Sequence, residues 1–195
     1  MRQICVFCGS SKGRSNNAIY VDAAQQMGLA LVRRSIGLVY GGGNIGLMGS
    51  LADTVLEAGG RVTGVIPQAL LDLEVGHAGL TELHVVESMH ERKAMMAELS
   101  DGFVAMPGGY GTLDEFCEVV TWAQLGIHRK PCALLNVEGY YDHLLALFDH
   151  ATAEGFVDPI HRSLVLEDSD PERLLDRMDR YLAPALRQWI DRVEQ

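Results

Sequence analysis

The sequence predicts a doubly wound α/β fold, a parallel sheet of about seven strands flanked by helices, and three observations carry that expectation. Short apolar runs alternate strictly with longer amphipathic stretches along the chain, which is the pattern of successive β–α units. The runs are rich in Val, Ile and Leu and apolar on both faces, as strands buried between two helical layers must be. With 195 residues, 48% of them hydrophobic, the chain can bury one substantial core, so residues 1–195 are expected to form a single domain.

The elements follow in order. A first strand is expected over residues 3–8, Gln-Ile-Cys-Val-Phe-Cys, running into the small-residue turn Cys8-Gly9-Ser10-Ser11. A helix over 16–34 leads to a strand over 37–40, which ends in Gly41-Gly42-Gly43-Asn44-Ile45-Gly46. A helix over 47–58 and a strand over 61–66 come next. Residues 67–81 suggest no regular element, and a connection of that length in a compact domain is often a lid or functional loop. The strand over 82–86 leads into Ser88-Met89-His90-Glu91-Arg92-Lys93, where Ser88 and Glu91 have capping-box spacing at the start of a helix over 89–99. A strand over 102–106 then runs into Pro107-Gly108-Gly109-Tyr110-Gly111-Thr112 and a helix over 113–125. A strand over 132–136, a helix over 140–154, a strand over 164–166 and a last helix over 171–193 complete the pattern. Leu174, Leu175, Met178, Leu182, Leu186 and Ile190 form one apolar stripe on that last helix. The stripe packs on the chain's own core or meets a second subunit.

Composition narrows the functional classes. The formal net charge is −10, which argues against a nucleic-acid partner. An anionic small molecule still fits, given a local site of backbone N–H groups and a few cations. There are three lysines, Lys12, Lys93 and Lys130. No apolar run reaches the ~18–20 residues of a membrane span. The opening Met1-Arg2-Gln3-Ile4-Cys5-Val6-Phe7 reads as a strand rather than a signal peptide. A cytoplasmic protein without a membrane partner is therefore expected. Cys5 and Cys8 form a C-x-x-C, but strand alternation turns them to opposite faces and no second Cys/His pair at zinc spacing follows. Buried, reduced thiols and no metal site are expected.

Ligands of open α/β sheets bind beyond the carboxyl ends of the strands, where this chain concentrates glycine. Gly9 and Ser10 follow the first strand, and Gly42 and Gly43 lie in the second turn. Gly41-x-Gly43-x-x-Gly46 has the spacing of a dinucleotide fingerprint, but the next strand ends Val65-Ile66-Pro67 without the acid that holds a ribose hydroxyl. The turn is read as close backbone approach to a ligand, or as a tight strand–helix turn alone, and not as an NAD site. The third turn is more specific. Its glycines let consecutive N–H groups converge, and the helix N-terminus adds partial positive charge, so it can hold a phosphate without a lysine. Thr112-x-x-Glu115 is also a capping box, so spacing alone leaves both residues open to a purely structural role. Arg92 and Lys93 sit early in a helix, where the dipole disfavours cations. That position suggests a ligand or carboxylate partner, with an ion-paired surface arginine as the plain alternative.

At these residues the sequence resembles a known family. Pro107-Gly108-Gly109-x-Gly111-Thr112-x-x-Glu115 matches the PGGxGTxxE signature of the "Lonely guy" cytokinin riboside 5′-monophosphate phosphoribohydrolases, and Met89-His90-x-Arg92-Lys93 matches their second motif. Cys8-Gly9-Ser10, Gly41-Gly42-Gly43-x-x-Gly46-Leu47-Met48-Gly49 and Gly64-Val65-Ile66-Pro67 match as well, and the likeness runs from about Ile4 to Phe156. The resemblance implies a Rossmann-like fold, a homodimer, no cofactor, and hydrolysis of a nucleoside 5′-monophosphate to free base and ribose 5-phosphate. N6-prenylated adenosine monophosphates and AMP are the implied substrates. It implies Arg92 and Glu115 as the catalytic pair. Substrate contacts are implied at Glu74, Met89, Lys93, Gly108, Gly109, Tyr110, Gly111, Thr112, Leu113, Asp114 and Thr121. Asp114 stands where plant members commonly have Glu.

Breaking a ribosyl C–N bond builds positive charge on the sugar. Glu115 is expected to stabilise that charge and activate water, with Arg92 holding Glu115 ionised and touching the nucleotide. Phosphate bound by the Gly108–Thr112 turn would fix the ribose against Glu115. The competing reading is a non-catalytic nucleotide or molybdenum-cofactor carrier on the same fold, which keeps the glycine turns without needing the Arg92–Glu115 pair.

Overall fold

A computed structural model of the chain describes residues 1–14, 18–72 and 76–185. Its centre is a seven-stranded sheet in which every neighbouring pair is parallel, in the order β4-β3-β2-β1-β5-β6-β7. The strands are β1 (Gln3–Phe7), β2 (Gly37–Tyr40), β3 (Val62–Pro67), β4 (Glu82–Val86), β5 (Gly102–Ala105), β6 (Cys132–Leu135) and β7 (Val165–Asp168). The helices are α1 (Ile19–Arg33), α2 (Gly46–Glu57), α3 (Gln68–Leu71), α4 (Met89–Glu98), α5 (Tyr110–Gln124), α6 (Asp142–Ala153), α7 (Pro159–Arg162) and α8 (Pro171–Asp179). This is the expected α/β, Rossmann-like architecture. Among the described residues, no helix is long and apolar enough to cross a membrane.

Burial on both faces explains why the strands read as continuous apolar runs. Ile4 and Val6 belong to a core shared with α1, α2 and α8, whereas Cys5 and Phe7 belong to a second core shared with α4, α5 and α6. Each fully buried Ile, Val or Phe side chain contributes roughly 1.5–3 kcal/mol relative to exposure, so a one-residue slip of β1 would exchange the two sets. Cys5 and Cys8 fall in opposite cores and are free thiols, and burial pushes both well above the usual thiol range.

The order of the strands places the functional turns. The chain starts at the centre of the sheet, winds outward through β2, β3 and β4, then returns to the other side of β1 as β5. The direction of winding reverses between β1 and β5, and connections from their carboxyl ends diverge there to opposite faces, opening a crevice. Cys8-Gly9-Ser10 follows β1 and Pro107-Gly108-Gly109 follows β5, so both turns lie at that point.

Most boundaries shift by one to three residues, and three differences bear on the site or the apolar stripe. The helix expected to begin at residue 113 begins at Tyr110, with Gly109 as its N-cap. The connection over 67–81 contains the short helix α3, pairs Gly76 with Gly43, and packs Leu80 on the first core. The last helix, expected over 171–193, ends at Asp179, and residues 181–185 are not helical. Pro184 has no N–H to continue the helix ladder and disfavours helical backbone at Ala183. Leu174, Leu175 and Met178 of the apolar stripe are buried in the first core, but Leu182 is 89% exposed. Leu186, Ile190 and the remainder of the expected helix lie outside the described residues.

Candidate active site

The turns after β1 and β5 touch through their backbones. Gly9 N–H donates to the Pro107 carbonyl at 3.1 Å. A Cβ on Gly9 would stand 3.3 Å from the Gly108 Cα, and one on Gly108 only 2.1 Å from the Thr112 hydroxyl. Beside this contact opens a cavity of about 300 Å³ whose walls include Gly9, Ser10, Gly109, Tyr110, Gly111 and Thr112. Met89, Arg92, Asp114 and Glu115 line it too.

Because α5 starts at Tyr110, Thr112 is a residue of its first turn and not its cap. Gly109 caps the helix with no side-chain hydrogen bond, so the Thr112–Glu115 capping box does not form. The N–H groups of the cap and first three helical residues have no acceptor within the helix, and here those residues are Gly109 to Thr112. These residues border the cavity, and N–H groups so placed can receive an anion. Three residues apart, Thr112 and Glu115 share a helix face, and both are buried, at 4% and 9% exposure. Phe116, Val119 and Ala123 continue along the second core and fix that rotation.

Burial of Glu115 raises its carboxyl from 4.5 to about 7; the positive charges of Arg92 and Lys93 pull it down, and Asp114 and Glu118 push it up. A carboxyl poised near neutrality suits proton transfer.

Arg92 enters from α4. Ser88 caps that helix by accepting the Glu91 N–H at 3.1 Å, and the Glu91 carboxylate accepts the Glu87 N–H at 2.8 Å. The Arg92 side chain is buried, and its Nη2 donates to the Gly41 carbonyl at 3.1 Å. A Cβ at Gly41 would lie 1.9 Å from Nη2, so the glycine is what admits the guanidinium. Nη1 donates weakly to Met89 Sδ at 3.7 Å, and Nε has no partner among the described residues. No ion pair joins Arg92 to Glu115 among the described residues; the positive charge of the arginine, which lines the same cavity, favours the ionised carboxyl without direct contact.

Other expected contacts are distributed differently. Lys93 Nζ lies 3.1 Å from both Asp114 Oδ2 and Glu118 Oε2, tying α4 to α5 outside the cavity wall. Thr121 is exposed farther along α5 and donates to the Cys117 carbonyl at 2.8 Å. Leu113 packs against the second core. Gly42 accepts the His77 N–H at 3.2 Å and Gly43 bridges to Gly76, so both brace the connection behind the cavity. Gly108 lines a neighbouring cavity. Glu74 lies outside the described residues. Gly41 and Met48 of the second glycine motif line the cavity, as does Met96, for which the sequence carries no site signal. Gly41 stood in the glycine motif, but nothing in the spacing signalled its carbonyl as a partner of Arg92.

Comparisons with known proteins agree with this geometry. The family model described as "Possible lysine decarboxylase" matches residues 48–178. Among the described residues no lysine lines the cavity; Lys130, for one, donates to the Ala97 carbonyl at 2.7 Å. The chain is 54% identical over 179 residues to the probable cytokinin riboside 5′-monophosphate phosphoribohydrolase LOGL1 of Oryza sativa, covering 92% of this chain and 79% of that protein. It is 50% identical over 181 residues to cytokinin riboside 5′-monophosphate phosphoribohydrolase LOG1 of Arabidopsis thaliana, covering 93% and 84%. The molybdenum cofactor binding protein of Rippkaea orientalis superposes with a TM-score of 0.69 at 21% identity, covering 92% of this chain and 96% of that one, a likeness of fold. With half its residues shared over nine-tenths of its length, and the signature turn forming one wall of a cavity with Arg92 and Glu115, the chain belongs to the Lonely guy family of cytokinin riboside 5′-monophosphate phosphoribohydrolases.

Proposed function

We infer that this chain hydrolyses the N-glycosidic bond of a purine nucleoside 5′-monophosphate, either AMP or an N6-substituted adenosine monophosphate, releasing the free base and ribose 5-phosphate. One observation carries the reading: a buried carboxyl poised near pH 7 shares a single cavity with the free N–H groups of a glycine-opened helix. The phosphate sits on the N–H groups of Gly109 to Thr112, which sets the sugar against Glu115. As the C1′–N bond breaks, its electron pair leaves with the base and positive charge grows on the ribose. Ionised Glu115 stabilises that charge and takes a proton from the water whose oxygen bonds to C1′. The base acquires a proton as it departs, so the protons balance. Arg92, a buried cation with an unpaired Nε–H, balances the substrate's negative charge.

The positions of Lys93 and Thr121 support a homodimer. The family pattern puts both at the substrate, yet neither lines the cavity of its own chain, and Thr121 is exposed. A second copy laid against α5 supplies such groups. A carrier of the same fold has no evident use for a buried carboxyl near neutrality, which favours the enzyme.

The test is incubation with AMP, with N6-isopentenyl-AMP and with adenosine, followed by chromatography of the free base. Release from either monophosphate and at least about a hundredfold lower kcat/KM for adenosine is expected, since a phosphate anchor of ~3 kcal/mol is worth that factor. No base from any of them, or equal rates with and without phosphate, overturns the reading.

A further inference from the structure

We propose that Tyr140 is a positioning residue, whose hydroxyl locks the Gly108–Gly109 peptide so that the Gly109 N–H faces the substrate phosphate; this rests on the phosphate site inferred above.

Three successive carbonyls leading into the signature turn each accept a hydrogen bond from another part of the chain. Tyr141 OH donates to the Met106 carbonyl at 2.6 Å, Gly9 N–H to the Pro107 carbonyl at 3.1 Å, and Tyr140 OH to the Gly108 carbonyl at 2.5 Å. No described peptide bond is cis. In a trans peptide the N–H points opposite to the C=O. Pinning the Gly108 oxygen on one side therefore turns the Gly109 N–H to the other.

The cavities identify the two sides. Tyr140, Tyr20, Ser11 and Gly108 line an outer cavity of about 300 Å³ that is separate from the candidate active site. Gly109 is a wall of both, whereas Tyr140 borders the outer one alone. The carbonyl of the shared peptide thus faces Tyr140, and its N–H faces the side where Thr112, Arg92 and Glu115 converge. Between two glycines this peptide has little steric resistance to flipping. Without the tyrosine, its carbonyl can turn inward and present a partial negative charge to an anion.

Tyr140 is built to hold this position. It follows a tight 3-10 turn, Val137–Gly139, in which Glu138 and Gly139 both have left-handed backbone, with φ of 50° and 70°. Asn136 fixes the turn by donating to Asp142 at 2.8 Å and accepting the Tyr141 N–H at 2.7 Å. The Tyr140 ring makes edge contacts with Tyr20 and Tyr141, at centroid distances of 5.9 and 5.0 Å. Ring packing and hydroxyl are separable, so Tyr140→Phe removes the lock and keeps the scaffold.

The experiment is isothermal titration of wild type and Y140F with ribose 5-phosphate and, separately, with adenine, alongside steady-state kinetics with AMP. A single neutral hydrogen bond is worth a factor of roughly two to ten. Ribose 5-phosphate affinity and kcat/KM for AMP are expected to fall by about that factor in Y140F. Adenine affinity, melting temperature and the pH midpoint of the rate should stay as in wild type. Unchanged ribose 5-phosphate affinity, or an equal loss for adenine, overturns the proposal. A wild type that releases no base from AMP overturns the hydrolase reading instead, and the titration still decides the role of Tyr140.

Discussion

Exchanging Glu115 for Gln should make the protein more stable at alkaline pH while removing its activity. The carboxyl is 9% exposed, and burial raises it from 4.5 to about 7. In the unfolded chain the proton leaves near 4.5; in the folded protein it stays until about 7. Between those values the folded state binds more protons, so wild-type stability falls as pH rises, and the loss is complete once both states are ionised. A shift of this size corresponds to roughly 3 kcal/mol at pH 8 and under about 1 kcal/mol at pH 5. A neutral amide carries no such cost. Urea unfolding of wild type and E115Q at the two pH values reads the difference directly, and at pH 8 the melting temperature should rise by on the order of 5–10 °C. The reasoning fails if E115Q is less stable at pH 8, or if the gain is the same at pH 5. Either result would mean that Glu115 is comfortably ionised in the folded protein and not held against desolvation.

Further predictions concern Glu115 and the signature turn. If ionised Glu115 activates water, kcat/KM for AMP should rise with pH through a midpoint near 7 and level off above it; a flat profile, or a midpoint near the ~6 of a phosphate ester's second ionisation, would assign the limb elsewhere. Gly108→Ala places a methyl group 2.1 Å from the Thr112 hydroxyl and 2.9 Å from the Gly9 nitrogen, so it should cost about 1–3 kcal/mol and abolish ribose 5-phosphate binding. Gly109→Ala, where a Cβ meets nothing within 4 Å, should leave the melting temperature unchanged, and equal destabilisation of the two variants would contradict this packing.

The fold was legible because parallel strands buried on both faces leave an unbroken apolar signal, as in Cys132–Leu135. Helix ends were less so, for local reasons. Gly109, Tyr110 and Gly111 have weak helix propensity and read as turn, yet the helix takes in Tyr110 and Gly111 and so leaves its N–H groups open to a ligand. That shift carried Thr112 and Glu115 from a cap into the cavity wall. At the other end of the chain, the apolar stripe continues in sequence to Leu182 and beyond, but the helix ends at Asp179, ahead of Pro184. The motifs located the glycine turns, Arg92 and Glu115, because those lie in contiguous runs. They did not show what holds these groups in place. Arg92 is anchored by a carbonyl 51 positions away and Gly108 by a hydroxyl 32 positions away, and neither pairing has a periodic signature. Lys93 and Thr121 match the family pattern in sequence but are not among the residues that line the cavity of their own chain.

The central claim is that Glu115 performs the hydrolysis in a cavity that binds a nucleotide phosphate. It is tested most directly by single-turnover release of adenine from AMP, wild type against E115Q, with ribose 5-phosphate binding measured on both. Wild type should release adenine and ribose 5-phosphate in equal amounts. E115Q should bind ribose 5-phosphate and lose at least about a hundredfold in rate, the usual worth of a positioned acid–base group. A folded E115Q that retains most of the wild-type rate would contradict the account.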